Sequence, residues 1–377
     1  VTNASKVSPG RPTGVAPGSF PVIDGHNDLP WAAREGSGYA VAGLDGDGGA
    51  SAFQTDLARL ERGGVRGQFW SVYVPVELAP GDAVQATLEQ IDFVHRLIAQ
   101  YPERLSLART ADDVRHAWAT GRIASLLGAE GGHSIGDSLP TLRMLARLGV
   151  RYLTLTHNDN TPWADSATDE PVHGGLTERG REIVAEMNRI GMIVDLSHVA
   201  TSTMEDALDA TTAPVIFSHS SCRALCSHER NVPDAVLERL PGNGGVVMVA
   251  FVPPFLSDEY ADWWRGGRHG PKPTVIIDDV VRHIEHARDV AGIEHIGLGG
   301  DYDGFDDFPV GMDDVTSYAR VRDALRERRW SDDDLDRLAG LNALRVIGDT
   351  ERSVPGVTDD LDRPAPGSGR TPSPEGP

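Results

Sequence analysis

Lysine is nearly missing from this chain: in 377 residues it occurs only as Lys6 and Lys272. Neither follows a strand-like run, so chemistry that needs a buried, activated lysine has almost nowhere to reside. Cysteine is as scarce, limited to Cys222 and Cys226. That count excludes a disulfide framework, and the pair reads as two small apolar side chains. No apolar run approaches the roughly 18 residues of a membrane-spanning helix, and the opening "VTNASKVSPGRPTGVAPGS" lacks the apolar centre of a signal peptide. A cytoplasmic protein is expected, and an exported form is compatible with the sequence. Positive charge is outnumbered, 35 Lys and Arg against 56 Asp and Glu, for a formal net charge of −21. Such a surface repels phosphate backbones and anionic lipid heads, so neither nucleic acid nor a membrane is an expected partner. No Gly-rich dinucleotide fingerprint follows the first apolar run.

What the chain does have is alternation. Eight short apolar runs, at 20–24, 67–76, 123–129, 151–156, 192–197, 214–218, 245–252 and 295–300, are separated for the most part by longer segments with apolar residues at helical spacing. Eight βα units over about 330 residues predict an α/β fold, a (β/α)8 TIM-type barrel, in preference to a doubly wound open sheet. The catalytic barrel is expected over 20–350. Residues 1–19 and 351–377, rich in Pro, Gly, Ser and Asp, read as flanking tails.

In such a barrel the C-terminal ends of all strands meet at one face, and unusual polar residues should therefore follow the runs. His26 and Asp28 follow the first, Glu130 the third, His157 and Asn158 the fourth, His198 the fifth, His219 the sixth, and Asp301 and Asp303 the eighth. A histidine taken singly is more often a core imidazole satisfied by the backbone. His95, His116, His283, His286 and His295, which lie in helix-like segments or at a strand start, are read as scaffold or surface. Three imidazoles and two carboxylates converging on one mouth are different, because they would repel and desolvate badly without a cation. Mixed nitrogen and oxygen donors suit zinc or another first-row divalent ion better than calcium or magnesium. Five ligands exceed what one catalytic zinc takes, so a pair sharing Glu130 is expected: His26, Asp28 and Glu130 on one ion, Glu130, His198 and His219 on the other.

The segments "VIDGHNDLPW", "EGGHSI", "RYLTLTHNDNTPWADS", "MIVDLSHV", "PVIFSHSS", "RNVPD" and "GGDYDG" resemble the motifs of the membrane (renal) dipeptidases, peptidase family M19 of the amidohydrolase superfamily. The resemblance runs from about residue 20 to 350. It implies a metal-dependent amidohydrolase barrel with two Zn2+ ions on the same five ligands, and hydrolysis of dipeptides, including L-X-D-Y dipeptides, by a hydroxide shared between the ions. By motif it assigns His157 to contact with the substrate, Arg230 to the substrate carboxylate and Asp301 to proton transfer. Glu130 stands where many superfamily members carry a carboxylated lysine. The alternative for Arg230 is a surface ion pair with Glu229 or Asp234. The alternative activity is that of another binuclear amidohydrolase, a lactonase or an N-acyl-amino-acid deacylase. The mammalian members end in a removable apolar tail that directs a lipid anchor, whereas this chain ends "GRTPSPEGP"; their membrane attachment and disulfide-linked assembly are not carried over, and a homo-oligomer remains open.

Overall fold

A computed structural model describes residues 16–46, 48, 51–78 and 80–354. The expected tails lie mostly outside that range. Where the structure does reach them, the boundaries move outward. The backbone N–H groups of Gly18 and Phe20 donate to the Asp336 carboxylate, and the last helix, Asn342–Ser353, continues past residue 350.

Among the described residues nine parallel strands form one sheet: β1 Val22–Asn27, β2 Val65–Tyr73, β3 Leu105–Leu107, β4 Ile123–Glu130, β5 Val150–Thr154, β6 Ile193–Asp195, β7 Val215–Ser220, β8 Val246–Val249 and β9 Ile296–Leu298. β2 pairs with both β1 and β4, and β1 with β9, so eight of the nine close into a barrel and the (β/α)8 architecture holds. The ninth, β3, pairs only with β4, and at three residues it is too short to show as an apolar run. The barrel strands are buried along nearly their whole length, as parallel strands covered on both faces must be.

Helices cover the outside, several of them starting where the sequence supplies a cap. Thr177 Oγ accepts from the Gly180 N–H at the head of Glu178–Arg189, and Thr110 with Asp113 forms a reciprocal capping box on Ala111–Ala119. Inside, Ile23, Phe69, Leu126, Tyr152, Ile193, Ile216, Val246 and Met248, from seven barrel strands, form one buried cluster. Gly128 on β4 is required there, since a Cβ at that position would sit 1.9 Å from the Tyr152 ring. Cys222 and Cys226 are both free and buried, as expected of apolar side chains. Among the described residues no helix is long and apolar enough to cross a membrane.

Candidate active site

Each strand end delivers a polar group to the same mouth. His26 is the fifth residue of β1 and Asp28 comes directly after that strand; Glu130 ends β4; His219 lies in β7; His157, His198 and Asp301 each come three residues after the end of β5, β6 and β9. His198 and Asp301 reach the site with left-handed backbones, φ 68° and 65°, as does Asp303 at 64°. Non-glycine residues rarely adopt this conformation, and they keep it where the surroundings impose it.

Glu130 is the centre of the arrangement. Its Oε2 lies 3.3 Å from His26 Nε2, and its Oε1 lies 3.0 Å from His198 Nε2 and 3.4 Å from His219 Nε2. Asp28 Oδ2 is 3.2 Å and Asp301 Oδ1 3.9 Å from His26 Nε2, while His198 and His219 bring their Nε2 atoms within 3.0 Å of each other. The five expected ligands therefore converge, with one carboxylate between the two sets. His157 Nε2 stands 4.0 Å from Glu130 Oε1, at the edge of the cluster.

The donor set fits divalent ions. His26 Nε2 and Asp28 Oδ1 are buried yet have no hydrogen-bond partner among the described residues, a costly state for polar atoms unless a cation takes them up. Groups of three ligand atoms within 4.8 Å of one another include His26, Glu130 and His219, and His26, Asp28 and Asp301. Burial, with Arg230 adding to it, pushes the pKa of His198 and His219 well down and keeps them neutral donors. At His26 burial acts the same way, but Glu130 and Asp28 outweigh it and the pKa is raised. Glu130 is itself buried, and the surrounding imidazoles hold its pKa well below the usual carboxylate value. Asp301 is pushed well above the ordinary value by burial and by the carboxylates of Asp28 and Glu130.

Holders behind these groups went unnoticed in the sequence. Tyr152 Oη lies 3.0 Å from His26 Nδ1 and donates to the Gly25 carbonyl at 3.2 Å, and Ser71 Oγ donates to Glu130 Oε2 at 3.2 Å. Asp24 on β1 and Asp195 on β6 are fully buried carboxylates within apolar runs. Asp24 accepts from the N–H groups of His26 and Gly300 and from Gln68 Nε2. Asp195 accepts from the N–H groups of Ser197 and Ser218. Each clamps a ligand-bearing strand end to its neighbour. The available signal was the charge itself, since an Asp inside "FPVID" or "MIVDLS" is out of place unless several donors surround it.

Above the polar cluster opens a cavity of about 650 Å³, walled by Trp31, Tyr73, Phe255, Trp264 and Phe305 as well as the site residues. Arg230, on the loop after β7, lines it and is only 2% exposed. Neither surface pair forms: Glu229 bonds to Arg265 and Asp234 to His286. Arg230 donates to the Ser220 hydroxyl and the His219 carbonyl, its Nε has no hydrogen-bond partner among the described residues, and it stacks over Phe255 at 5.1 Å. Burial lowers its pKa to about 10, so it is charged at neutral pH. The result is a buried cation in a cavity wall with no carboxylate bonded to it among the described residues. The histidines read as scaffold differ: His95 and His295 bond to backbone carbonyls, and His283 bonds to the Cys222 N–H and the Leu256 carbonyl.

The family model of the membrane dipeptidases, peptidase family M19, matches residues 17–356. The chain belongs to that family. Dipeptidase verJ of Clonostachys rogersoniana is 43% identical over 342 residues, spanning 88% of this chain and 84% of the relative. Dipeptidase aclJ of Aspergillus oryzae is 42% identical over 351 residues, 90% of this chain and 81% of the relative. A metallo peptidase from Rhodobacter sphaeroides, solved with a phosphinate mimic of the dipeptide L-Ala-D-Ala, superposes with a TM-score of 0.78 at 26% identity over 88% of this chain and 99% of that one. The protein is accordingly a dipeptidase of a metallopeptidase family, built on an amidohydrolase-type barrel.

Proposed function

We propose that the chain is a binuclear zinc dipeptidase acting on free dipeptides, L-X-D-Y dipeptides among them. The observation that carries this reading is Glu130 standing between two sets of ligands, His26 with Asp28 and His198 with His219, at the floor of a cavity whose wall holds the buried Arg230 cation. When bound, two divalent ions supply an activated water for the scissile carbonyl and positive charge for its oxygen. His26, Asp28 and Glu130 would hold one ion and Glu130, His198 and His219 the other.

The remaining steps belong to the side chains. Arg230 receives the C-terminal carboxylate of the dipeptide, a charge-assisted pair that limits the substrate to two residues because nothing can continue past that carboxylate. His157, whose pKa is driven down to about 4 by burial, is neutral at working pH and donates a hydrogen bond to the oxygen on which charge develops. Asp301 accepts the proton of the attacking water and passes it to the leaving amine. Its raised pKa suits a group that must take up and release a proton in one cycle. Tolerance for a D-residue is supported by the Rhodobacter relative, solved with a mimic of L-Ala-D-Ala.

The test compares four substrate classes on the zinc-loaded protein: free L-X-D-Y and L-X-L-Y dipeptides, their C-terminal amides, N-acyl amino acids and lactones. Free dipeptides should be turned over fastest and amidation should abolish most of kcat/KM. Faster turnover of a lactone or an N-acyl amino acid than of any dipeptide would replace this reading with that of another binuclear amidohydrolase.

A further inference from the structure

We infer that Asp195 and Ser218 are positioning residues that fix His219 in one tautomer, with its Nε2 lone pair facing Glu130. The inference deepens the metal-centre reading and rests on it for its consequence, though not for its geometry.

The argument is a count of protons. Ser218 has one hydroxyl proton, and its Oγ lies 2.6 Å from Asp195 Oδ2, 2.9 Å from His219 Nδ1 and 3.4 Å from Ser197 Oγ. Asp195 is surrounded by donors: the backbone N–H groups of Ser197 and Ser218 on Oδ1, and the Thr154 hydroxyl at 2.6 Å on Oδ2. A carboxylate in that setting only accepts, so the short contact from Ser218 must carry the serine proton toward Asp195. The Ser218 oxygen then has only lone pairs to offer His219, and Nδ1 must hold the imidazole proton. The other nitrogen, Nε2, is left as the donor, 3.4 Å from Glu130 Oε1 and 3.0 Å from His198 Nε2.

The relay crosses three strands, from Thr154 on β5 through Asp195 on β6 to Ser218 on β7, and every member is fully buried. His219 is 1% exposed, so water cannot take over from the serine. Its backbone is fixed as well, the N–H donating to Ser197 Oγ at 3.0 Å. His198 has no such arrangement: its Nδ1 has no partner among the described residues. A histidine ligand with a preset tautomer binds metal without first moving a proton, and loss of such a holder typically costs 10- to 100-fold in affinity (about that range).

The experiment uses histidine labelled with heavy nitrogen in the metal-free full chain, with zinc affinity read separately by competition against a chromophoric chelator. In the wild type the His219 resonances should show the proton on Nδ1. In Ser218→Ala they should move to the Nε2-protonated form, with zinc affinity about 10- to 100-fold weaker at one of the two ions and the melting temperature little changed. Ser218→Thr, which keeps the hydroxyl, should recover most of both. A wild-type His219 protonated on Nε2 would overturn the inference, and so would a Ser218→Ala variant that binds both ions as tightly as the wild type. Should Ser218→Ala fail to fold, the wild-type resonances decide alone. A wild type that takes up no ion would refute the metal reading instead, leaving the relay to stand or fall on the nitrogen shifts.

Discussion

At the scale of single residues, the site is defined by side chains placed where burial would otherwise exclude them. Arg230 is the clearest case, a charged guanidinium stacked on Phe255 with no carboxylate bonded to it among the described residues. Replacing it with Met should raise KM for free dipeptides by roughly 30-fold or more, since losing one member of a desolvated charge pair costs about 2 kcal/mol at least. Dipeptide amides should be far less affected, and equal losses on both would remove Arg230 from carboxylate binding. Asp301→Asn should keep both metal ions but lose about 100- to 10,000-fold in kcat, the usual range for a general acid–base group. Near-normal kcat in a fully loaded variant would reduce Asp301 to a structural acceptor. The two cysteines lie at the opposite extreme of reactivity, because burial pushes both thiols up to about 12 and hardly any thiolate exists at neutral pH. Iodoacetamide at pH about 8 should leave the native protein unlabelled and modify both in denaturant; rapid native labelling would contradict their burial. The convergence of the five candidate ligands was legible in the sequence because each follows an apolar run. That Arg230 is buried was not, since "HERNVPD" reads locally as a solvated loop and only the fold of that loop against Phe255 reveals otherwise.

At the scale of elements, strand ends and the turns after them set the geometry. Gly304 follows the left-handed Asp303, and a Cβ there would lie 2.2 Å from Asp28 Oδ2 and 2.6 Å from Asp301 Oδ1. Gly304→Ala should therefore displace Asp28 from His26 while sparing the core, and one metal ion and most activity should be lost with a melting temperature within a few degrees of wild type. Full metal content in that variant would show that the turn after β9 does not set the spacing of these carboxylates. The long helices Pro80–Gln100, Leu139–Leu148, Glu178–Arg189 and Ile277–Ala291 were readable from their periodicity. The strand β3 and the helices Leu29–Ser37 and Leu57–Gly63 were not. They are too short to complete a pattern, and packing against the barrel decides their form. The clamps made by Asp24 and Asp195 were hidden for a related reason, because their donors come from neighbouring strands far away in the chain.

At the scale of the whole molecule, a closed parallel barrel brings together groups up to 275 positions apart, from His26 to Asp301. Eight apolar runs and the polar residues after them were enough to read the architecture and to single out the candidate ligand cluster; the aromatic cavity wall stayed hidden, because Trp31, Phe255 and Trp264 sit on helices too short to show a period, Leu29–Ser37, Pro253–Leu256 and Asp258–Arg265, and Phe305 lies in the turn after β9. Gathering Asp28, Glu130 and Asp301 around one buried imidazole opposes folding, and cations relieve that opposition. Zinc added to the metal-free chain should raise its melting temperature by at least a few degrees, whereas magnesium should do so much less; no response to zinc would sever the link between metal and fold. The most direct measurement is metal content followed alongside dipeptide turnover through stepwise chelation and readdition. Two zinc ions per chain, with activity vanishing on chelation and returning as the ions return, is the predicted result. Undiminished cleavage of dipeptides by a chain emptied of metal would contradict the account at its centre.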